Sequence, residues 1–456
     1  MKRWIIIWKQ QITTNQVILE LTPPHDAKQD VFATEQFLTT LHAIGKPRAL
    51  KDKILGNKKL FSLEVVSSKE KGIRFLLRVA VDDEEVVTKN LRSFLPSIKI
   101  KEISDNLISS QEEKWQTVEL PLVKHFALPL KIPTDLNTHD PIAYITGQMT
   151  KLAPDELTSL QLVLTPITSY THRSTSNEIQ KMKYLVTQGL DVSSALKQSS
   201  GILGLIGALF LFLVNLGVFV LLAPITMITS IMLNDKGDSL PWWIFQKGSS
   251  KKQQQLSQQK QHLQEMVNDK VRKELFEVTI RLAVAQDSQE EAKRRISGLF
   301  TSFATFTNKG LQSFSTRKRL VFPFFFFRNR LLSFFTNPIL STTEVAAIFH
   351  FPYSSKNKTE DVVTSLSNQL SAPLSLKQND KKLDNVFANN VFAETITPIG
   401  LTKDERRRHM YIIGATGTGK TTMLATMIKN DMANDKGLCV IDPHGDLIQK
   451  CLESVP

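Results

Sequence analysis

Cysteine is almost missing: Cys439 and Cys451 are the only two in 456 residues, and both fall in the last twenty. That excludes a disulfide framework, and free thiols fit a reducing compartment, so a cytoplasmic setting is expected for that end. No secretory leader is expected either. Ile5, Ile6 and Ile7 follow Lys2 and Arg3, but the apolar run is too short for a leader and Lys9 interrupts it. Acidic residues are in the minority: 57 Lys and Arg against 44 Asp and Glu leave a net charge of +13, which favours contact with nucleic acid or an anionic membrane surface. Composition is otherwise ordinary, 41% hydrophobic and 22% charged, which excludes a disordered chain and a multispan bundle over the whole length. At roughly 150 residues per domain the length predicts about three folded units.

Charge is absent altogether from Gly201 to Leu233, 33 residues dominated by Leu, Ile, Val and Phe. A bilayer crossing needs about 20, so a membrane-embedded segment is expected over 201–233, ended or kinked near Pro224. From Lys247 to Glu274, seven glutamines and seven basic residues against three acids predict a basic juxtamembrane helix.

Alternation and helical spacing predict an α+β fold. Strands are expected at Val17–Thr22, Phe61–Val66, Ile73–Val81 and Ile98–Ile103, with helices at Val31–Ile44 and Glu84–Leu95. That order, βαββαβ, is the ferredoxin-like motif and assigns residues 1–110 to one domain. A second copy is expected over 115–320. It takes a strand near Val118–Leu130, a helix from Pro141 to Leu152 and a strand at Leu160–Ile167. A strand at Phe276–Val284 follows, then a helix opened by a Ser288/Glu291 capping box, and a closing strand near Leu311–Phe314. The membrane segment then lies inside the hairpin between this domain's middle strands. Both halves of one domain must share a side of the membrane, so an even number of crossings or a re-entrant dip is expected. Arg317 to Arg330 carries five basic residues and the run Phe324 to Phe327. It reads as an apolar docking strand whose rim is solvated by arginine, with single-strand or membrane-surface contact as the functional alternative. Residues 321–400 are expected to connect to the last domain, 405–456.

That last domain carries the chemistry. Gly414-Ala-Thr416-Gly417-Thr418-Gly419-Lys420-Thr421 fits G-x-x-x-x-G-K-[ST] at every fixed position, after an apolar Tyr411–Ile413 strand and before a helical pattern. Glycines let successive N–H groups curl around a phosphate, Lys420 would face the β and γ phosphates of ATP, and Thr421 would ligate Mg²⁺. Thr422 completes the expected binding set. A further strand, Gly437–Ile441, ends in Asp442-Pro-His-Gly-Asp446.

Together, His409–Gly414, the P-loop and Val440–Leu447 resemble the start of the ATPase domain of the HerA/FtsK superfamily, and within it the conjugative, type IV secretion coupling-protein-like ATPases. The resemblance implies the N-terminal part of a RecA-like α/β ATPase domain, ATP and Mg²⁺ as cofactors, DNA as partner and a membrane-tethered ring, usually a hexamer, at the inner membrane with the ATPase domain in the cytoplasm. It also implies that Asp442 is not the Walker B acid, which comes later in the family. The 48 residues from His409 to Pro456 hold no Walker B pair, sensor or arginine finger, so the 456-residue chain by itself is expected to hydrolyse no ATP. A protein-secretion ATPase of the same superfamily and a nucleotide-binding scaffold are the rival readings.

Overall fold

The structure, a computed structural model, describes residues 15–24, 31–47, 53, 57–104, 114–132, 140–190, 192, 196, 258–318, 322–333, 336–351, 359, 361–365, 372–373, 376, 383–392 and 395–455. The expected membrane segment, 201–233, lies outside them. Among the described residues no helix is long and apolar enough to cross a membrane. Two compact units are present: Met1–Leu95 with Lys99–Ser365, and Leu366–Pro456 grouped with Pro96–Ile98.

The larger unit is built on one antiparallel sheet. Its first half runs β1 (Gln16–Thr22), α1 (Val31–Ile44), β2 (Phe61–Ser68), β3 (Gly72–Ala80), α2 (Val81–Phe94) and β4 (Lys99–Ile103). Its second half runs β5 (Trp115–Glu119), α3 (Pro141–Gly147), β6 (Leu157–Pro166), α4 (Arg173–Thr187), α5 (Gln258–Arg272), β7 (Leu275–Ala285), α6 (Gln289–Ser302) and β8 (Arg317–Lys318). After these come α7 (Pro323–Arg328), β9 (Ile339–Ser341) and α8 (Thr342–Ile348). Across the sheet the order is β4-β1-β3-β2-β6-β7-β5-β8, with β9 on β7. The succession is the same read inward from either edge. The halves meet at the β2–β6 seam, where Phe61↔Leu164 to Ser68↔Leu157 pair in register.

Strand alternation divides the side chains between two faces, and both are covered. Leu63, Val65, Phe75, Leu77, Leu160, Leu162, Ile280 and Leu282 lie on one face, buried beneath the helices that carry Phe37, Leu41, Val87, Ile296 and Leu299. The opposite face carries charge. Glu64, Gln161, Arg281 and Glu119 are neighbours on one rung of β2, β6, β7 and β5, and all four are buried. Arg281 donates to Gln161 Oε1 at 3.1 Å and pairs with Glu119 at 3.3 Å, and Gln161 Nε2 donates to Glu64 at 3.2 Å. Arg330, just past α7, pairs with Glu64 at 2.6 Å, and Arg317 pairs with Glu119 at 3.1 Å. A row of buried charges costs several kcal/mol per unpaired ion, so these partners are obligatory. Burial alone would raise the Glu119 carboxyl, but Arg281, Ser333 and Arg317 hold it below its usual value.

Several local expectations need correction. The closing strand of the second half is Arg317–Lys318 against Val118 and Glu119; Phe314 makes only an isolated bridge to Leu122. β5 stops at Glu119 where a longer strand was expected, because Pro121 cannot donate to a ladder. At Ser288 the hydroxyl accepts the Glu291 N–H at 3.4 Å, while Glu291 itself is taken by Gln286. The box is therefore half formed. Within the stretch expected to form a basic juxtamembrane helix, α5 has an apolar side: Val267 and Val271 pack with Met182, Ala127 and Leu128. Gln264 Nε2 donates to Val186 O at 3.0 Å, so the chain leaving β6 through α4 and the chain returning through α5 lie side by side.

Candidate nucleotide-binding site

The smaller unit comprises the hairpin β10 (Leu383–Phe392) and β11 (Thr395–Thr402), a 3₁₀ turn at Glu405–Arg407, helix α9 (Lys420–Ala433) and helix α10 (Asp446–Leu452). The expected connecting region thus holds a hairpin that composition concealed. Its ladder is irregular, shifting register on both sides of Asn385 and Val386.

The loop 414–419 opens α9 as the sequence predicts. Gly417 and Gly419 sit at φ +82° and +88°, conformations that residues with a Cβ rarely adopt. A Cβ at Gly414 would lie 2.5 Å from Thr418 Oγ1, so that hydroxyl would have to turn away from Ala415 O. Thr418 donates to Ala415 O at 2.7 Å, and Lys420 Nζ folds back to Gly414 O at 2.6 Å and Ala415 O at 2.8 Å. The ammonium thus rests on carbonyls of the loop it would share with a phosphate. Thr421 and Thr422 lie exposed on the first turn of α9, and Thr416 is exposed in the preceding turn. Curled glycine backbone, a point charge at its mouth and adjacent hydroxyls fit a phosphate with its Mg²⁺.

Two expected strands are not formed. Tyr411–Ile413 and Gly437–Ile441 have no ladder partner among the described residues, and Tyr411, Ile413 and Ile441 are 88%, 81% and 89% exposed. An apolar strand without a neighbour cannot close its hydrogen bonds. Asp442 instead serves the turn it opens, accepting the Leu447 and His444 N–H groups at 2.8 and 3.1 Å, bonds that hold its carboxyl below the usual range.

Of the three consecutive arginines before the loop, Arg407 and Arg408 face water. Arg406 forks onto Asp431 at the far end of α9 and also reaches Asp384, which Lys436 joins at 2.7 Å. The Asp431 and Asp384 hydrogen bonds raise the Arg406 guanidinium further above its usual value, while Lys436 and Arg406 hold Asp384 below its own. Sequence reasoning missed this cluster.

The arginine-rimmed aromatic run forms helix α7 where a strand was expected, and its apolar side and two of its arginines are engaged within the sheet unit. Phe324 and Phe327 pack against Trp115, Ala283 and Ala285, Arg330 is 2% exposed in its pair with Glu64, and Arg317 is held by Glu119. Lys318 and Arg328 are exposed, and Arg319 lies outside the described residues.

A family model described as a domain of unknown function, DUF8128, matches residues 8–363. That is more than half of the chain, which therefore belongs to this family. A second model, the type IV secretion-system coupling protein DNA-binding domain, matches residues 393–455, from the turn of the hairpin through the P-loop to α10. This match supports a coupling-protein-like role in DNA transfer, with DNA as a partner. No curated protein matches the chain.

Proposed function

We propose that this chain is the membrane-tethered, ATP- and Mg²⁺-binding subunit of a ring-shaped motor that moves DNA in a type IV secretion or conjugative system. The observation that carries the reading is the loop 414–421, whose glycine conformations, Lys420 ammonium and Thr421 hydroxyl suit a nucleotide's phosphates and magnesium, within the stretch that matches a coupling-protein domain. ATP hydrolysis would then drive movement of the strand through a hexamer. Tethering rests on the uncharged run 201–233. The adjacency of α4 and α5 favours a segment that enters the bilayer and returns, with the ATPase part on the cytoplasmic side of the inner membrane. The reading of each half of the sheet as a ferredoxin-like βαββαβ unit is supported by the inward succession of strands from both edges.

Titration of the chain with MgATP and MgADP tests the first step: binding is expected, and Lys420→Ala should weaken it at least tenfold. Equal affinity in the variant removes the nucleotide reading. DNA affinity is then measured at saturating nucleotide and without it, across a salt series. Nucleotide binding with DNA affinity unchanged would transfer the chain to a protein-moving machine of the same type.

A further inference from the structure

We propose that Arg406, through its fork onto Asp431, is a positioning residue that carries nucleotide occupancy of the P-loop to the β10–β11 hairpin; this rests on the nucleotide reading of loop 414–421. The two ends of α9 have different surroundings. Its first turn is exposed at the loop, whereas Asp431, about 16 Å along the axis, is 8% exposed and closely held. Arg406 donates to both Asp431 oxygens, at 2.7 Å from Nη1 and 2.5 Å from Nη2. Asn385 Nδ2 donates to Asp431 at 2.9 Å and to the Met427 carbonyl at 2.8 Å, and Asn430 donates to the Val386 carbonyl. One strand of the hairpin is therefore gripped at residues 427, 430 and 431 of the helix.

The hairpin is shaped for this grip. Register shifts flank Asn385 and Val386, and bulges re-aim side chains. At the facing position, a Cβ on Gly400 would collide with the Asn385 carbonyl, so the strands approach there only because residue 400 is glycine.

Arg406 also closes a circuit. It lies on the segment that leads into the loop, and it holds the end of the helix that leads out. A phosphate that shifts the first turn of α9 must either strain the Arg406 fork or draw the hairpin along with the helix, because a hydrogen-bonded helix moves as a rod. A planar guanidinium meeting a carboxylate bidentately fixes orientation as well as charge, which a lysine does not.

Hydrogen exchange on the 456-residue chain, with and without MgADP, tests this. In the wild type, MgADP should slow amide exchange in β10 over residues 386–390 roughly fivefold or more. In Arg406→Lys and in Asp431→Asn, the hairpin's exchange without nucleotide should stay within about twofold of wild type, and the nucleotide-induced slowing should fall below about twofold. A merely structural bolt would instead loosen the hairpin without nucleotide and leave the ratio unchanged. Arg407→Ala, an exposed neighbour, should keep the full response. Lys420-dependent MgADP binding with no slowing in β10, or full slowing in either fork variant, overturns the proposal and leaves the nucleotide reading standing. Failure of the wild type to bind MgADP, or binding unchanged by Lys420→Ala, overturns both.

Discussion

Removing Arg330 is the sharpest test of the buried charge row. Truncation by Arg330→Ala strips Glu64, 3% exposed in the intact protein, of its ion pair, leaving Ser62 Oγ at 2.7 Å and Gln161 Nε2 at 3.2 Å as neutral donors. Breaking one side of a buried pair costs about 3–5 kcal/mol. For a unit of this size each kcal/mol moves the midpoint by about 2–4 °C, so Tm should drop by about 6–20 °C. Two further variants dissect the loss. Arg330 sits at φ +54°, in the left-handed turn that closes α7. Arg330→Gly should therefore be less damaging than alanine by about 1 kcal/mol, since glycine adopts that conformation freely. The double variant Arg330→Met with Glu64→Gln removes both charges and should recover most of the loss. Calorimetric melting at low and at high salt is the assay, and the drop should be nearly independent of salt because the pair is screened from solvent. A shift under about 2 °C, or one that vanishes in high salt, would refute the burial argument and restore Arg330 as a candidate surface contact.

Three other outcomes are expected. Gly414→Ala should weaken MgADP binding by about tenfold or more with little change in Tm, because the new Cβ meets Thr418 Oγ1 in an exposed loop; calorimetric titration beside a melt separates the two effects. Glu277 accepts from His172, Lys58 and Asn337, and although burial alone would raise it, those partners pull its carboxyl from the ordinary 4.5 to about 2. A depressed carboxylate stabilises the fold above its unfolded value and loses that contribution as pH falls, so about 3 kcal/mol should disappear between about pH 5 and 2. His172, held low chiefly by burial, loses stability in the same direction on acidification. Urea midpoints from pH 7 to 2.5 should fall more steeply for wild type than for Glu277→Gln, and parallel curves would count against the cluster. Deleting 201–233 should move the chain into the soluble fraction after a carbonate wash; retention would shift the tether elsewhere.

Elements whose pattern is local were legible in the sequence. Helix α1 spans Val31–Ile44 as its spacing indicates, and Ile73, Phe75, Leu77 and Val79 line the helix-covered face of β3. What covers the other face was not legible: Arg74 meets Glu20 and Arg78 donates to Asn329 O, in the turn after α7, more than 240 residues further on. Charge on alternate positions signals water only when nothing distant returns to cover it. The P-loop was legible because backbone conformation dictates its glycines. Its support was not, since the Arg406 fork depends on the register of a bulged hairpin that composition disguised as linker.

The side-by-side course of α4 and α5 has a mechanical meaning. Both arise from the same end of the β6–β7 pair, β6 finishing at Pro166 and β7 beginning at Leu275. A load applied through them pulls the two strands in one direction, so it does not peel them from each other. It slides them together past their outer neighbours, β6 along β2 from Phe61↔Leu164 to Ser68↔Leu157 and β7 along β5 from Trp115↔Ala285 to Glu119↔Arg281. Sliding breaks many ladder bonds at once where peeling breaks them singly. The shorter β5–β7 ladder is the place to yield first, and the Arg281–Glu119 pair lies at one end of it. If 201–233 tethers the chain as proposed, a pull on that anchor would act along the direction in which the sheet resists most.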